Sequence, residues 1–338
     1  MSESKAVIFG CMGLELSSDE AAFFAETKPW GFILFGRNID SLDQVADLTA
    51  ALRESIGRSD VPILIDQEGG RVQRLKPPLV AHYPSGADLG ALYLSNPEAG
   101  LRATWIMSRL HAFDLVRLGI NVDCLPVLDV PSPGAHEVIG SRAYGITPDV
   151  VARLGAAAAQ GLKAGGMLPV IKHIPGHGRA GADTHHELPH VDAPRADLSA
   201  RDFQPFRALR HEAMAMSAHV VFTEIDPDHP ATTSSRVVAE VIRSEIGFDG
   251  LLMSDDVSMN ALSGDFATRT GAIFAAGCDV VLHCNGVRAE MQAVASRTPE
   301  LAGDSLRRAK AVMAAFGAPD DSHEAALREE FAGLMASS

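Results

Sequence analysis

The sequence predicts a single (β/α)8 barrel, and three observations support this fold class. Eight apolar runs recur along the 338 residues, and segments of helical character separate them. The runs are continuously apolar rather than alternating, which is typical of parallel strands covered on both faces. Polar residues follow nearly every run, as they do at the catalytic end of such barrels. The alternative, a doubly wound open sheet, would need a glycine-rich phosphate fingerprint after an early strand, and no GxGxxG occurs there.

Each predicted strand is a short run rich in Val, Ile, Leu or Phe, residues that favour extended backbone. The spacing leaves room for a helix in most connections, as parallel neighbours require. In chain order the runs are Ala6–Phe9, Gly31–Phe35, Val61–Ile65, Ile120–Leu128, Leu168–Ile171, Met216–Phe222, Gly250–Met253 and Asp279–Leu282.

The segments between the strands carry helix signals. Ser41 followed by Gln44 is a capping box, and Gly57, Gly119, Gly165 and Gly247 stand where C-terminal caps are expected. The predicted helices are Ser41–Ile56, Glu98–Leu118, Pro148–Ala164, Ser199–Met214, Ser234–Ile246 and Ala267–Ala276, with Ser305–Phe316 and Ser322–Met335 packed outside the barrel. We therefore expect residues 1–338 to form one catalytic barrel domain.

Composition and charge exclude several classes of function. The formal net charge of −14 disfavours nucleic acid and anionic membranes as partners. The N-terminus lacks the regions of a signal peptide, and no run reaches the roughly 18 apolar residues of a membrane helix. The four cysteines have no CxxC spacing, which suggests free thiols in a reducing compartment. We expect a cytoplasmic monomer or weak oligomer without a cofactor.

Polar and ionisable side chains follow the predicted strands, where a barrel holds its catalytic groups. A single one would be explained by a helix cap or a surface charge, but the repeated placement indicates one polar pocket built from many strands. In chain order they are Arg37, Asn38, Asp66 to Arg71, Arg74, Asp129, Arg142, Lys172, His173, Ser217, His219, Asp255, Asp256, His283 and Asn285.

The segment Lys172–His190 holds five of the 13 histidines. Three interpretations of this segment are open: a metal site, a proton-transfer loop, or a loop whose histidines are solvated or packed. The third is the simplest interpretation for His186 and His190. The chain lacks HExxH and finger-type Cys/His spacing, so we expect no metal site. Asp183 stands two residues before His185, and its carboxylate can accept the ring N–H, fixing the tautomer and raising the basicity. That pattern makes His185 a candidate acid/base.

Asp255 and Asp256 follow the seventh predicted strand. An aspartate there is commonly a helix cap. Successive strand residues point to opposite sides, so one of the two can face the pocket while the other caps the next turn. A carboxylate that faces a sugar can serve as the nucleophile of a double displacement.

At these motifs the chain resembles glycoside hydrolase family 3, and within it the β-N-acetylglucosaminidases. The matching stretches span most of the chain in the family's order: Ile65–Leu75, Lys172–Gly178, Asp183–Pro189 and Gly247–Met259. The resemblance implies a (β/α)8 barrel and retaining hydrolysis through a covalent glycosyl-enzyme intermediate. One departure is Ile174, where the family often has Phe.

The resemblance also implies the roles of individual residues. Asp255 matches the nucleophile, His185 matches the acid/base of this branch, and Asp183 matches its partner. An imidazole in this role avoids a second negative charge beside the nucleophile, in contrast to the usual pair of carboxylates. The residues that match the family's sugar contacts are Asp66, Arg74, Arg142, Lys172 and His173.

The Asp-x-His loop accompanies the N-acetylglucosamine branch of the family. The resemblance therefore implies an exo-acting enzyme like the single-domain members of Gram-negative bacteria, which remove N-acetylglucosamine from 1,6-anhydromuropeptides during peptidoglycan recycling. The expected partner is a small carbohydrate or muropeptide. The alternatives are another family 3 β-glycosidase, an N-acetylglucosaminide phosphorylase and a silent sugar-binding protein, although a binder needs neither Asp255 nor His185.

Overall fold

A computed structural model describes residues 4–132, 134, 136–181 and 188–336, and it confirms the predicted barrel. In this part of the chain, eight strands close into one ring in which each neighbouring pair is parallel. The strands are β1 (Lys5–Gly10), β2 (Pro29–Leu34), β3 (Ile63–Ile65), β4 (Val122–Asp123), β5 (Leu168–Ile174), β6 (Met214–Ser217), β7 (Leu251–Asp256) and β8 (Val280–His283). Pairing of β8 with β1 closes the ring.

Strand residues alternate between the inside of the barrel and the layer beneath the helices. In β7, Leu251 and Met253 belong to the core inside the barrel, whereas Leu252 belongs to the core between the strands and the helices. Asp255 continues the inward series and lines the cavity at the end of the barrel. The same alternation that buries the apolar residues therefore delivers a carboxylate to the site.

Helices cover the barrel from outside. Pro148–Ala164 has its predicted bounds, and Ser41 caps Leu42–Ser55 by accepting the backbone N–H of Gln44. The Gln44 side chain accepts from Asp40 N rather than from Ser41 N, so the predicted capping box forms only by half. The longer helices are Ser18–Thr27, Leu42–Ser55, Gly86–Ser95, Pro97–Val116, Pro148–Ala164, Val237–Glu245, Phe266–Ala276, Arg288–Arg297, Gly303–Ala315 and Glu324–Ala336.

The sequence prediction is wrong around the sixth strand. The last residue of the predicted helix Ser199–Met214 is the first residue of β6. The predicted strand Met216–Phe222 is split, because β6 ends at Ser217 and Val221–Phe222 pairs with His190–Val191 in a separate two-stranded sheet. A continuous apolar run does not mark where the chain leaves the barrel, so hydropathy alone merges the two strands.

The two C-terminal helices lie against the outside of the barrel. The first is held by Arg308, which pairs with Asp249 and Asp279 just before β7 and β8. The second is held by Arg328, whose Nη2 lies 2.6 Å from Asp114 Oδ1 on the helix Pro97–Val116. None of the helices in the described ranges combines the length and hydropathy needed to cross a membrane.

Candidate active site

One cavity of about 320 Å³ opens at the C-terminal ends of the barrel strands. Six of the eight site residues predicted from the sequence line it: Asp66, Arg74, Arg142, Lys172, His173 and Asp255. They come from four different strands or the connections after them, namely β3, β4, β5 and β7, and barrel closure brings them together. The other two, Asp183 and His185, lie outside the described residues, so their positions remain predictions.

Asp66, directly after β3, is held between two cations. Its Oδ1 accepts from Lys172 Nζ at 2.8 Å, and its Oδ2 accepts from Arg74 Nη2 at 3.1 Å. Burial opposes ionisation of this carboxyl, but the charges of Lys172 and Arg74 outweigh burial and lower its pKa. Asp66 therefore stays ionised at neutral pH, and its ion pairs with Lys172 and Arg74 offer strong donors and acceptors to a polar ligand.

Glu68 forms the second half of this network, and its role was not predicted from the sequence. Arg142 donates Nε and Nη2 to the two oxygens of Glu68, each at 2.8 Å, while Lys172 Nζ lies 2.6 Å from Glu68 Oε1. Burial opposes the charge of Glu68, but Arg142 and Lys172 lower its pKa to about 2. The buried Lys172 ammonium thus bridges two carboxylates, which raise its pKa although burial opposes its charge.

Asp129 orients the two histidines that line the cavity from β5 and the loop after it. Its Oδ2 lies 2.7 Å from His173 Nδ1, and its Oδ1 accepts the backbone N–H of His177 at 2.7 Å. This contact puts a proton on His173 Nδ1, which leaves Nε2 as the atom available to a ligand. Burial and the nearby His173 lower the pKa of His177 to about 4, so His177 is neutral at physiological pH.

Asp255 and Asp256 divide their roles as successive strand residues are expected to do. The side chain of Asp256 caps the following turn by accepting from Ser258 N and Oγ, and it also accepts from Cys284 N. The carboxylate of Asp255 has one hydrogen bond within the described residues, from Asp256 N to Oδ1 at 2.8 Å. Asp255 therefore keeps lone pairs available towards the cavity.

The surroundings of Asp255 favour its ionised form. Burial opposes the charge, but His219 and His173 lower the pKa of Asp255. His219, buried in the connection after β6, donates Nε2–H to the carbonyl of Asp256 at 3.0 Å, and its Nδ1 lies 2.8 Å from Thr232 Oγ1. An ionised carboxylate with free lone pairs can act as a nucleophile or as an electrostatic stabiliser of a cationic centre.

The described residues contain no group of three or more His, Cys, Asp or Glu side chains that could hold a metal ion. His185 and His186 lie outside those residues, so the absence of a metal site remains a prediction. His190 is exposed and its backbone pairs with Val221, which fits the structural interpretation given to it above.

Sequence reasoning named Glu68, Asp129 and His219 as polar strand-end residues but gave them no role. Their roles depend on partners far along the chain; Glu68 and Arg142, for example, are separated by 74 positions. The position after a strand was the one signal available, and it identified these residues as pocket candidates without identifying their partners.

Comparison with known proteins gives a consistent result along the chain. The family profile described as "Glycosyl hydrolase family 3 N terminal domain" matches residues 6–308. A Xanthomonas campestris protein named beta-hexosaminidase is 39% identical over 300 residues, covering 86% of this chain and 88% of that protein. A beta-hexosaminidase of Alkalilimnicola ehrlichii is 38% identical over 283 residues, covering 82% and 80%.

Solved structures show the same similarity. NagZ from Neisseria gonorrhoeae, in complex with N-trifluoroacetyl-D-glucosamine, superposes with a TM-score of 0.85 at 30% identity, covering 99% of this chain and 97% of that chain. A glycoside hydrolase family 3 beta-N-acetylglucosaminidase from Paenibacillus also gives 0.85, at 31% identity, covering 98% of this chain and 67% of that chain.

Proposed function

The chain belongs to glycoside hydrolase family 3, and we propose that it is a retaining exo-β-N-acetylglucosaminidase with Asp255 as its nucleophile. It is a glycoside hydrolase of the β-hexosaminidase type. The observation that carries the finer proposal is Asp255 itself: an inward-facing carboxylate with one hydrogen bond in the described residues, which lines the same cavity as five candidate sugar contacts.

In the first proposed step, an Asp255 oxygen attacks the anomeric carbon as the bond to the leaving-group oxygen breaks. The acid/base His185 gives a proton to that oxygen, so the aglycone leaves as an alcohol. In the second step, His185 takes a proton from water, the water oxygen bonds to the anomeric carbon, and Asp255 is released as a carboxylate. Two inversions leave the product with the β configuration of the substrate.

The low pKa of Asp255 suits the nucleophile, since it must be ionised before the first step. The partial positive charge that develops on the sugar is stabilised by the same carboxylate. A neutral or cationic imidazole as the acid/base adds no negative charge beside Asp255, so it does not oppose that ionisation.

The network around Lys172 supports recognition of sugar hydroxyl groups. Asp66 offers acceptors, while Lys172, Arg74 and Arg142 offer charge-assisted N–H donors, and their mutual ion pairs fix their positions. Preorganised donors and acceptors of this kind hold a sugar with its anomeric carbon at the nucleophile and reduce the entropic part of the barrier.

For the natural substrate, we propose muropeptides in which N-acetylglucosamine is linked to 1,6-anhydro-N-acetylmuramic acid, together with a cytoplasmic location. The support is the Asp-x-His loop, the resemblance described above, and the similarity to NagZ over nearly the whole of both chains. Incubation with the purified disaccharide and detection of free N-acetylglucosamine tests this part separately.

The test of activity compares p-nitrophenyl glycosides of N-acetyl-β-glucosamine, β-glucose and β-xylose. We expect release of p-nitrophenol from the first at a rate at least about 100-fold above the others, unchanged by EDTA. Proton NMR of the early product should show the β anomer. Faster turnover of the glucoside, or an α product, would contradict the proposal. A sugar 1-phosphate formed in phosphate buffer would identify a phosphorylase instead.

A further inference from the structure

Arg71 stands at the mouth of the cavity and is more exposed than the other cations that line it. Its side chain is exposed and lines the cavity, whereas Lys172 is buried within the same cavity. An exo-acting glycosidase places the terminal sugar at the closed end, so the group linked to that sugar, the aglycone, lies towards the mouth. Arg71 is therefore positioned on the aglycone side.

The guanidinium of Arg71 is held in place by backbone rather than by a carboxylate. Its Nη2 donates to the carbonyl oxygens of Glu137, at 2.7 Å, of Val138, and of Ile139, at 3.4 Å. These contacts use the two hydrogens of Nη2 and fix the direction of the group. They also join the loop after β3 to the loop after β4 across the cavity mouth.

The remaining N–H groups of Arg71 have no partner among the described residues. Arg74 and Arg142, which also line the cavity, form ion pairs with Asp66 and Glu68. No described carboxylate forms an ion pair with Arg71, although Glu137 supplies one of the carbonyls that hold it. Within the described residues, Arg71 thus keeps Nε–H, two Nη1–H and a positive charge that no ion pair compensates, on a chain whose formal net charge is −14.

From this arrangement we propose that Arg71 binds a carboxylate on the aglycone and makes the enzyme selective for acidic aglycones. The proposal deepens the function given above and rests on it. A guanidinium with a fixed orientation is well suited to a carboxylate, because less conformational freedom is lost when the ion pair forms. At a solvated rim, such a charge acts mainly on association and is sensitive to salt.

The experiment uses two aryl substrates that differ by one charge: 4-carboxyphenyl N-acetyl-β-glucosaminide and its methyl ester. The measured quantity is the ratio of kcat/KM for the acid to that for the ester. The two leaving groups differ electronically, so the ratio need not be one even without a charge contact. The ratio of each variant is therefore compared with the wild-type ratio. The ratio is insensitive to the amount of folded enzyme, so a partly unstable variant still gives a usable value.

For Arg71→Gln, we expect the ratio to fall about fivefold, the size of an exposed charge contact. The matched control is Lys310→Gln, which removes the same charge from the helix Gly303–Ala315 at the opposite end of the barrel. That control should keep the wild-type ratio. In the wild type, the ratio should also fall between about 0.02 M and about 0.5 M NaCl, while the Arg71→Gln ratio should stay flat.

An Arg71→Gln ratio equal to the wild-type ratio would overturn the inference, as would equal salt dependence in the two enzymes. A proportional loss on both substrates would assign Arg71 a purely structural role in holding the loops together. These outcomes leave the proposed function standing, because the wild type still hydrolyses both N-acetylglucosaminides. If the wild type hydrolysed neither of the two N-acetylglucosaminides, the proposed function itself would be contradicted.

Discussion

The carboxylate of Asp129 lies 2.7 Å from Nδ1 of His173 and fixes which nitrogen of that imidazole faces the cavity. Burial opposes the charge of Asp129, but the adjacent His173 lowers its pKa. The Asp129 carboxylate is therefore ionised at neutral pH, and its contact with the imidazole is an ion–dipole or ion–ion contact. The proposed sugar contact of His173 therefore depends on a residue that does not itself line the cavity.

We expect Asp129→Asn to lower kcat/KM on the N-acetylglucosaminide about 100-fold, because the imidazole loses its fixed tautomer and orientation. Steady-state kinetics measure the effect. The matched control is Asp226→Asn, which alters a similar Asp–His contact on the surface, with 3.3 Å to His229 Nδ1. Equal losses in the two variants would show that Asp129 has no specific part in the site.

Glu68 is expected to stabilise the fold as well as the site. Glu68→Gln leaves the buried Lys172 and the half-buried Arg142 with less compensating charge, and we expect a loss of about 3 kcal/mol in the free energy of unfolding. Chemical denaturation measures it. Glu240→Gln breaks an exposed pair with Arg195, 3.4 Å apart, and should cost less than about 1 kcal/mol. A Glu68 variant as stable as the Glu240 variant would contradict this account of the network.

The contribution of Glu68 should also depend on pH. Its pKa is lowered from 4.5 to about 2 in the folded state, so the unfolded chain binds the proton more readily. The stabilisation is therefore fully present above pH 4.5 and is lost as the pH falls from 4.5 towards 2. The difference in unfolding free energy between wild type and Glu68→Gln should shrink across that window. If this difference in unfolding free energy grew as the pH fell, the predicted direction of the pH dependence would be wrong.

Asp183 and His185 lie outside the described residues, so their test is kinetic. If Asp183 accepts the ring N–H of His185, it stabilises the protonated imidazole, which the first step requires. We expect Asp183→Ala to lower kcat by about 100-fold or more and to move the basic limb of kcat/KM to lower pH. An unchanged pH profile in the variant would exclude the pair as the acid/base.

The barrel could be predicted because its signals are local. Continuous apolar runs identified strands. Both Asp255 and Asp256 line the cavity, but the carboxylate of Asp256 accepts from Ser258 and Cys284, whereas that of Asp255 accepts only from Asp256 N within the described residues. Two of the helices absent from the prediction also carried local signals, the capping boxes of Ser17 with Glu20 and Ser85 with Asp88. The helix Arg288–Arg297 has no side-chain cap, so its start carries little local signal.

The pairings within the site could not be predicted from the residues alone. Lys172 meets Asp66 across 106 residues, a contact that depends on the closed order of the strands and on their register. Sequence position identified both residues as pocket candidates but did not show that one ammonium bridges Asp66 and Glu68. Long-range geometry of this kind is a property of barrel closure, whereas strand ends are visible in the chain itself.

The most direct test of the central claim is covalent trapping of Asp255. A 5-fluoro N-acetyl-β-glucosaminide with a good leaving group keeps the acetamido group but slows breakdown of the glycosyl-enzyme, since fluorine disfavours positive charge on the sugar. We predict one sugar per chain, attached through an ester to the peptide that contains Asp255, and no label in Asp255→Asn. A label on another residue, or turnover by Asp255→Asn near the wild-type rate, would contradict the account.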